Sequence, residues 1–204
     1  MKKLKFITFL LVSLVFATAC SSDDDSGNDN NTPTQENQFV FDGDTFPLKA
    51  GALEYYGNES GLHNTDIIFV TTEVDENEEP EDEIFNSIYF ELFTTNENLE
   101  TGDYSFFEGE APNTFSDFSD ISIASGTAEN PTLKYYEIIS GEITVVSKNP
   151  YEFIFEGEAV NWDDENDIVD FSGHYKGDMY EFDYSDEEGR PENNSDSKSV
   201  FKKK

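Results

Sequence analysis

The sequence is poor in the residues that most catalytic sites and disulfide-rich folds use. Its 204 residues include one cysteine, one tryptophan, two histidines and only 12 lysines and arginines. A single cysteine excludes an internal disulfide, so packing must stabilise the fold. Against 45 acidic residues the net charge is −33. Nucleic-acid and anionic-membrane binding, which need a cationic surface, are therefore excluded. Nucleotide-binding, esterase and zinc-protease motifs are also missing.

Long apolar runs are missing as well. The longest, from Phe6 to Ala17, has twelve residues, fewer than the ~20 that a membrane-spanning helix needs. It follows Lys2, Lys3 and Lys5 and precedes small residues, so 1–19 is predicted to be a signal peptide. The only cysteine, Cys20, comes directly after it.

The segment Ala17-Thr18-Ala19-Cys20 resembles a bacterial lipoprotein signal, although Ala17 stands where leucine is common. In that family the cysteine becomes the first mature residue and carries fatty acyl chains. The acidic stretch after it resembles the surface-export signal of Bacteroidota-type lipoproteins, and comprises Ser21, Ser22, Asp23, Asp24 and Asp25. The resemblance implies an outer-membrane protein, anchored by lipid on Cys20 and exposed at the cell surface.

Two alternatives to that localisation stay open. An ordinary A-x-A cleavage site would cut the same bond and release a soluble secreted protein. The acidic stretch could equally be a solvated linker without a sorting role. Residues 20–37 are rich in Ser, Asp, Asn and Gly and are predicted to form a flexible tether. Its reach of roughly 20–25 Å exceeds the ~8 Å Debye length of physiological salt.

Maturation would make the chain more acidic. Removing three lysines with the signal peptide leaves 45 acidic and 9 basic residues, a net charge of −36. We therefore expect contact with the membrane through the lipid anchor only, no nucleic-acid partner, and a monomer. High charge alone favours disorder, but 16 of the 19 phenylalanines and all ten tyrosines remain. This number of aromatic side chains can form the hydrophobic core of one ordinary domain, which we predict to span residues 38–184.

The apolar residues of this region alternate and do not recur at helical spacing. We therefore predict an all-β fold: a single antiparallel sandwich or barrel of about 8–11 strands. Asp42-Gly43 and Asn149-Pro150 are predicted to form turns. The acidic segment 73–83 is predicted to be an exposed loop, and residues 185–204 are predicted to form a disordered tail. The predicted strands are Gln38–Phe41, Thr45–Leu48, Ala52–Tyr56, Asp66–Val74, Ser87–Thr95, Tyr104–Phe107, Ser119–Ala124, Leu133–Ser140, Glu142–Lys148, Tyr151–Gly157 and Asp167–Tyr175.

The last predicted strands carry a second resemblance. Gly141–Val146, Tyr151–Gly157 and Phe171–Gly177 resemble the final strands of small β-rich lipoprotein domains from the same bacterial group. This similarity implies a β fold and transfers no catalytic residue. Of the two histidines, His174 is expected to point outward from its strand and His63 to lie in a polar loop, so neither is expected to be catalytic.

Two weak binding sites can be proposed from residue types. Asp163, Asp164 and Asp167 place hard oxygen ligands in a loop between two strands, as Ca²⁺ prefers. The alternative is a solvated acidic hairpin without a metal, and no other cofactor is expected. Trp162, Tyr55 and Tyr135 could present rings that stack on sugar faces. The alternative is that these rings pack at the rim of the sheet.

The sequence favours a non-enzymatic binding or structural role at the cell surface, with glycan or protein as the partner. A carboxylate-dependent hydrolase such as a glycosidase is one alternative, since that chemistry needs only two acids about 5–10 Å apart. A barrel that carries a small apolar ligand is another. In a structure, two facing carboxylates in a cleft would favour the hydrolase. A row of exposed rings would favour the binding protein, and an open lumen would favour the carrier of an apolar ligand.

Overall fold

The computed structural model describes residues 36–59 and 61–185, and within these ranges the chain forms strands and no helix. No helix in this part of the chain is therefore long and apolar enough to cross a membrane. The strands are β1 Gln38–Phe41, β2 Asp44–Pro47, β3 Ala50–Glu59, β4 Leu62–Val70, β5 Ser87–Thr94, β6 Gly102–Phe106, β7 Thr114–Phe115, β8 Asp120–Thr127, β9 Asn130–Lys148, β10 Tyr151–Asn161, β11 Asp164–Gly177 and β12 Tyr180–Asp183.

These strands form a single curled sheet. Its hydrogen-bonded order is β12-β3-β4-β5-β7-β6-β9-β10-β11-β1-β2, and β8 pairs with both β5 and β9. Neighbours are antiparallel except for the pairs β12–β3 and β6–β7. The sheet folds over itself, because Phe69 on β4 stacks on Phe155 of β10, and Phe90 on β5 contacts Phe171 of β11. The all-β prediction is confirmed, as a barrel-like core with additional strands.

Aromatic rings fill the interior of this core. The largest side chains that are fully buried are Phe39, Phe69, Phe90, Phe115, Phe153, Phe155 and Tyr104. Each such ring buries ~150–250 Å², which supplies the apolar burial that the fold needs without a disulfide. The apolar residues at alternate positions of β5 and β11 are buried: Ile88, Phe90, Leu92, Val169, Phe171 and Tyr175.

Strands β3, β4 and β5 are buried on both faces. Their outer face carries a second apolar cluster, formed by Ala50, Ala52, Ile68, Val70 and Tyr89. The side chains that pack over it come from the 71–86 connection and from β12: Val74, Phe85, Tyr180 and Phe182. Burial on two sides explains why β4 and β5 contain continuous apolar runs instead of strict alternation.

The structure adds two strands to the predicted set and joins two others. The short β7 and the parallel edge strand β12 were not predicted. Residues 133–140 and 142–148 form one strand, β9, which continues through Gly141. A Cβ at Gly141 would lie 2.1 Å from the carbonyl oxygen of Glu156, so a glycine here permits the close approach of β9 and β10. Asp42-Gly43 forms the predicted hairpin turn with both φ angles positive.

Asn37 precedes the first strand and contacts the β domain. Asn37, placed in the tether by the sequence, is tied to the domain: its side-chain oxygen accepts a hydrogen bond from the backbone of Lys176 at 2.6 Å. The signal peptide, the lipid-attachment residue Cys20, the export signal 21–25 and the tail beyond Ser185 lie outside the described residues.

Candidate functional site

The side chains of Trp162 and Tyr135 form an exposed aromatic stack. Trp162 is 60% exposed and Tyr135 42% exposed, with ring centroids 5.4 Å apart and ring planes 29° from parallel. The backbone N–H of Trp162 also donates to the carbonyl oxygen of Tyr135 at 3.0 Å. Three ring residues were proposed as ligand contacts from the sequence, and the structure brings two of them, Trp162 and Tyr135, into contact.

Local turn chemistry places Trp162 at the surface. Strand β10 ends at Asn161 and β11 begins at Asp164, so Trp162 and Asp163 form the two-residue turn between them. The side-chain oxygen of Asn161 accepts a hydrogen bond from the backbone of Asp163 at 2.9 Å, which stabilises this turn. The indole, at the tip of the hairpin, is then held against the neighbouring strand β9.

Apolar side chains extend the stack along the sheet. Tyr135 shares its face of β9 with Leu133, while Ile168 of β11 lies opposite Val160 of β10. Leu133 is 41% exposed and Ile168 is 54% exposed. We call this surface the Trp162 platform, and it comprises Leu133, Tyr135, Val160, Trp162 and Ile168.

Carboxylates border the Trp162 platform. Glu137 follows Tyr135 on the same face of β9, and Asp120 of β8 lies directly across from Glu137. Partial burial raises the pKa of the Tyr135 hydroxyl, and the negative charge of Asp120 raises it further. The tyrosine is therefore a neutral hydrogen-bond donor at physiological pH. The platform combines two stacked rings with polar groups at its border, as a site for a hydroxylated ligand would.

Two of the three aspartates proposed as calcium ligands, Asp164 and Asp167, engage different partners. Asp164 accepts hydrogen bonds from the backbone and side chain of Asn166 at 3.0 and 3.1 Å. The first of these contributes most to lowering the pKa of its carboxyl group. Asp167 accepts from the side chains of Asn161 at 2.9 Å and Tyr136 at 3.3 Å. Within residues 36–59 and 61–185, no three His, Cys, Asp or Glu side chains converge as metal ligands. The calcium hypothesis thus rests on sequence composition alone.

Tyr55, the third ring proposed from the sequence, does not belong to the platform. It is half-buried and lines a polar cleft together with His63 and Glu181. The hydroxyl of Tyr151, at the first residue of β10, donates to Glu181 at 2.9 Å. Trp162 directly follows the last residue of the same strand, eleven residues after Tyr151. The cleft and the platform therefore lie toward opposite ends of β10.

A row of buried carboxylates was not predicted from the sequence. Glu54 lies opposite Asp66, and Asp66 lies opposite Glu91, on the adjacent strands β3, β4 and β5. Their exposures are 0%, 1% and 4%. Hydroxyl and amide groups surround the row: Tyr56 donates to Glu54 at 2.6 Å, and Asn64 donates to Glu91 at 3.1 Å. A further hydrogen bond to Glu91 comes from Ser116.

One signal in the sequence could have revealed this row. The positions on the same strand faces next to the three acids are apolar, namely Ala52, Ile68 and Tyr89, which indicates a covered face. The three carboxylates do not line either of the two principal clefts of the described region. They consequently do not present the open pair of acids that a glycosidase needs.

The two histidines differ from their predicted settings. His63 lies in strand β4 and not in a loop, opposite Thr94 of β5. His174 does lie on the face opposite Tyr175, but it is only 8% exposed, because its ring packs beside Glu152. Its Nε2 atom is 3.1 Å from Glu152, whose other oxygen is 3.1 Å from the ammonium of Lys176. Hydrogen bonds from His174 and then Lys176 lower the pKa of Glu152.

In comparisons with known proteins, no family model, no curated protein and no solved structure matches this chain.

Proposed function

We propose that this chain is a lipid-anchored β domain of the cell surface that binds an uncharged glycan through the Trp162 platform, without catalysing a reaction. The observation that carries the proposal is the stack of Trp162 on Tyr135, with both rings exposed. Contiguous exposed apolar patches are typical of surfaces that bind a ligand or a partner. Sugar rings present flat C–H faces that suit such a surface.

The polar border of the platform favours a sugar over a protein partner. Asp120, Glu137 and Asp163 offer carboxylates, which accept hydrogen bonds from hydroxyl groups. Five side chains are also too few for a stable protein interface, which buries about 800 Å² on each partner. Because carboxylates repel other carboxylates, the preferred glycan is uncharged.

Other features argue against the two alternative functions. Aromatic rings fill the interior of the barrel, where an apolar-ligand carrier would have a lined cavity. The buried carboxylate row belongs to a covered face of the sheet and not to a cleft. The anchor on Cys20 rests on the resemblance of residues 17–25 to a lipoprotein signal and supplies the surface location.

Trp162 is the only tryptophan in the chain, so its fluorescence reports directly on the platform. The experiment titrates the mature chain, made soluble by Cys20→Ser, with hexasaccharides of glucose, mannose and xylose. We expect a saturable change in Trp162 emission with at least one of them. Tyr135→Ala should weaken that binding at least tenfold by calorimetry, and Trp162→Ala should do the same.

The matched control is Phe118→Ala, which removes an aromatic ring that is 58% exposed outside the platform. This variant should bind like the parent protein. The proposal fails if none of the hexasaccharides binds, or if the Trp162 and Tyr135 variants retain the parent affinity.

A further inference from the structure

The outer face of β3, β4 and β5 carries three carboxylates where water does not reach them. Glu54, Asp66 and Glu91 lie opposite one another on these strands, and directly opposed side chains have Cβ atoms about 5 Å apart. With the whole chain in place all three are buried, and each has an interaction partner. Hydrogen bonds from a phenol, an amide and a hydroxyl group reach Glu54 and Glu91, but these donors carry no charge. Because neighbouring buried carboxylates need positive charge to offset their repulsion and desolvation, we expect a cation among the groups that cover the row.

Most cations of the mature chain lie in its last residues. The four lysines of residues 36–59 and 61–185 contact other groups or lie on the β8–β9 hairpin. They are Lys49 beside Glu73, Lys176 beside Glu152, Lys148 beside the carbonyl oxygen of Leu99, and Lys134 on β9. The other five basic residues follow the described region: Arg190, Lys198, Lys202, Lys203 and Lys204. The segment 186–204 is therefore the best source of positive charge for the row.

The described chain ends beside this row. Strand β12 runs parallel to β3, and Tyr184, the next residue, donates its backbone N–H to the carbonyl oxygen of Tyr55 at 2.8 Å. The ring centroid of Tyr184 is 5.5 Å from that of Tyr56, whose hydroxyl donates to Glu54 at 2.6 Å. Burial and, secondly, the negative charge of Glu54 raise the pKa of Tyr184. The residues that follow Tyr184 therefore start at the edge of the row.

The segment 186–204 is also long enough to cross the row. Neighbouring strands are ~4.8 Å apart, so Glu54 on β3 and Glu91 on β5 are separated by about 10 Å. Arg190 follows Tyr184 by six residues, and an extended chain of that length spans up to about 20 Å. Arginine suits a buried ion pair better than lysine, because its planar guanidinium has five N–H donors that can hold two carboxylates at once.

We propose that residues 186–204 fold back over the outer face of β3, β4 and β5, and that the guanidinium of Arg190 pairs with the carboxylates of Glu54, Asp66 and Glu91. This assigns an ordered role to part of the tail that the sequence predicts to be disordered. Strand β12 is a four-residue strand at the edge of the sheet. The ion pair therefore acts as a strap that keeps β12 and its aromatic side chains on the sheet.

The first test observes Arg190 directly in the full mature chain with Cys20→Ser. Arg190 is the only arginine, so its Nε–H gives one signal in proton–nitrogen NMR spectra and needs no variant for its assignment. In mildly acidic buffer this proton should exchange with water more slowly than that of a free arginine side chain, by roughly tenfold or more, because the pair is buried. Exchange at the rate of the free side chain would overturn the proposal.

Variants then separate Arg190 from the rest of the tail. Arg190→Gln should lower the midpoint of thermal denaturation by roughly 5 °C or more, because it leaves buried carboxylates without their counter-charge. Lys198→Gln removes an equal charge from the same tail and should leave the midpoint unchanged. A chain that ends at Pro191 should be as stable as the parent, whereas a chain that ends at Ser185 should lose as much stability as Arg190→Gln.

A double-mutant cycle tests whether the row is the partner of Arg190. Asp66→Asn removes one negative charge, so it should cost less stability in the Arg190→Gln background than in the parent. Strictly additive losses, or equal effects of Arg190→Gln and Lys198→Gln, would overturn the proposal. An unchanged midpoint in the chain that ends at Ser185 would also overturn it, and would assign the face to a second copy or to another molecule.

Discussion

Phe155 on β10 lies directly opposite Gly173 on β11, and its ring occupies the space that a side chain at position 173 would need. A Cβ at Gly173 would lie 2.1 Å from two ring carbons of Phe155, far inside van der Waals contact. Phe155 is itself 1% exposed and contacts the rings of Phe69 and Phe90. The glycine is thus required by the aromatic core and not by a turn.

Gly173→Ala should destabilise the domain because the ring of Phe155 cannot move away without displacing other buried rings. We expect the free energy of unfolding to fall by about 1–3 kcal/mol. Phe155→Leu, which leaves a cavity, should also destabilise the domain. Urea denaturation of the two single variants and the double variant measures both effects. The double variant should lose less than the sum of the single losses, since leucine leaves room for the new methyl group. Strict additivity would show that the two positions do not compete for space.

Trp162 and Tyr135 should be nearly dispensable for stability, because both rings are exposed. Trp162→Ala should reduce the free energy of unfolding by no more than about 1 kcal/mol, the energy typical of a ring pair. Tyr135→Ala should shift Trp162 emission to longer wavelength, because the indole loses the ring that shields it from water. Thermal denaturation and emission spectra check both points. A stability loss of several kcal/mol in Trp162→Ala would show that the indole is a structural residue and not a free binding surface.

Tyr175 should make the domain sensitive to alkali. Burial, and secondly the charge of Asp178, raises the pKa of Tyr175 to about 12. In the unfolded chain a tyrosine ionises near pH 10. Between these values the unfolded chain has lost the proton that the folded domain keeps, so stability falls as the pH rises.

The size of this alkaline effect can be measured with one substitution. Tyr175→Phe removes the ionisable group, together with the hydrogen bond to the carbonyl oxygen of Asp178. The variant should be less stable at pH 8 but should lose less stability from pH 10 to 12, by on the order of 2 kcal/mol. Urea denaturation of the parent and the variant across this range is the measurement. Identical pH profiles for the parent and Tyr175→Phe would contradict the assignment.

Cys20→Ala should release the protein from the membrane fraction of the cells that produce it. The acyl chains hold stably only when two or more are attached, at ~0.8 kcal/mol for each buried CH₂ group. Palmitate labelling of the parent protein and its absence from the variant give the second readout. Retention of Cys20→Ala in the membrane fraction, or an unlabelled parent protein, would contradict the lipid anchor.

Much of the fold follows from alternation along single strands. The positions of β1, β5, β10 and β11 were predicted within a few residues, since their inward residues repeat every second position. The hairpin at Asp42-Gly43 was also predictable, because its turn geometry needs the positive φ angles that these residue types tolerate. The exposed stack of the candidate site was predictable only as separate rings, Trp162 on one hairpin and Tyr135 on another strand.

Contacts between distant segments determined the rest. Glu54, Asp66 and Glu91 are acidic, yet they are buried on the covered outer face of β3, β4 and β5. The parallel strand β12, more than 120 residues after β3, contributes Phe182 to that face. His174 and the cleft around His63 were missed for the same reason, as neighbours from other strands enclose them.

The sequence by itself determined that this chain is a β domain stabilised by aromatic packing, because side-chain alternation is a local property of an extended backbone. Only the tertiary structure decided which outward faces stay in water and which are covered. Which face is covered depends on where the 71–86 connection and strand β12 pack. Neither position can be predicted from the periodicity within a single strand, because both segments are separate from the strands that they cover.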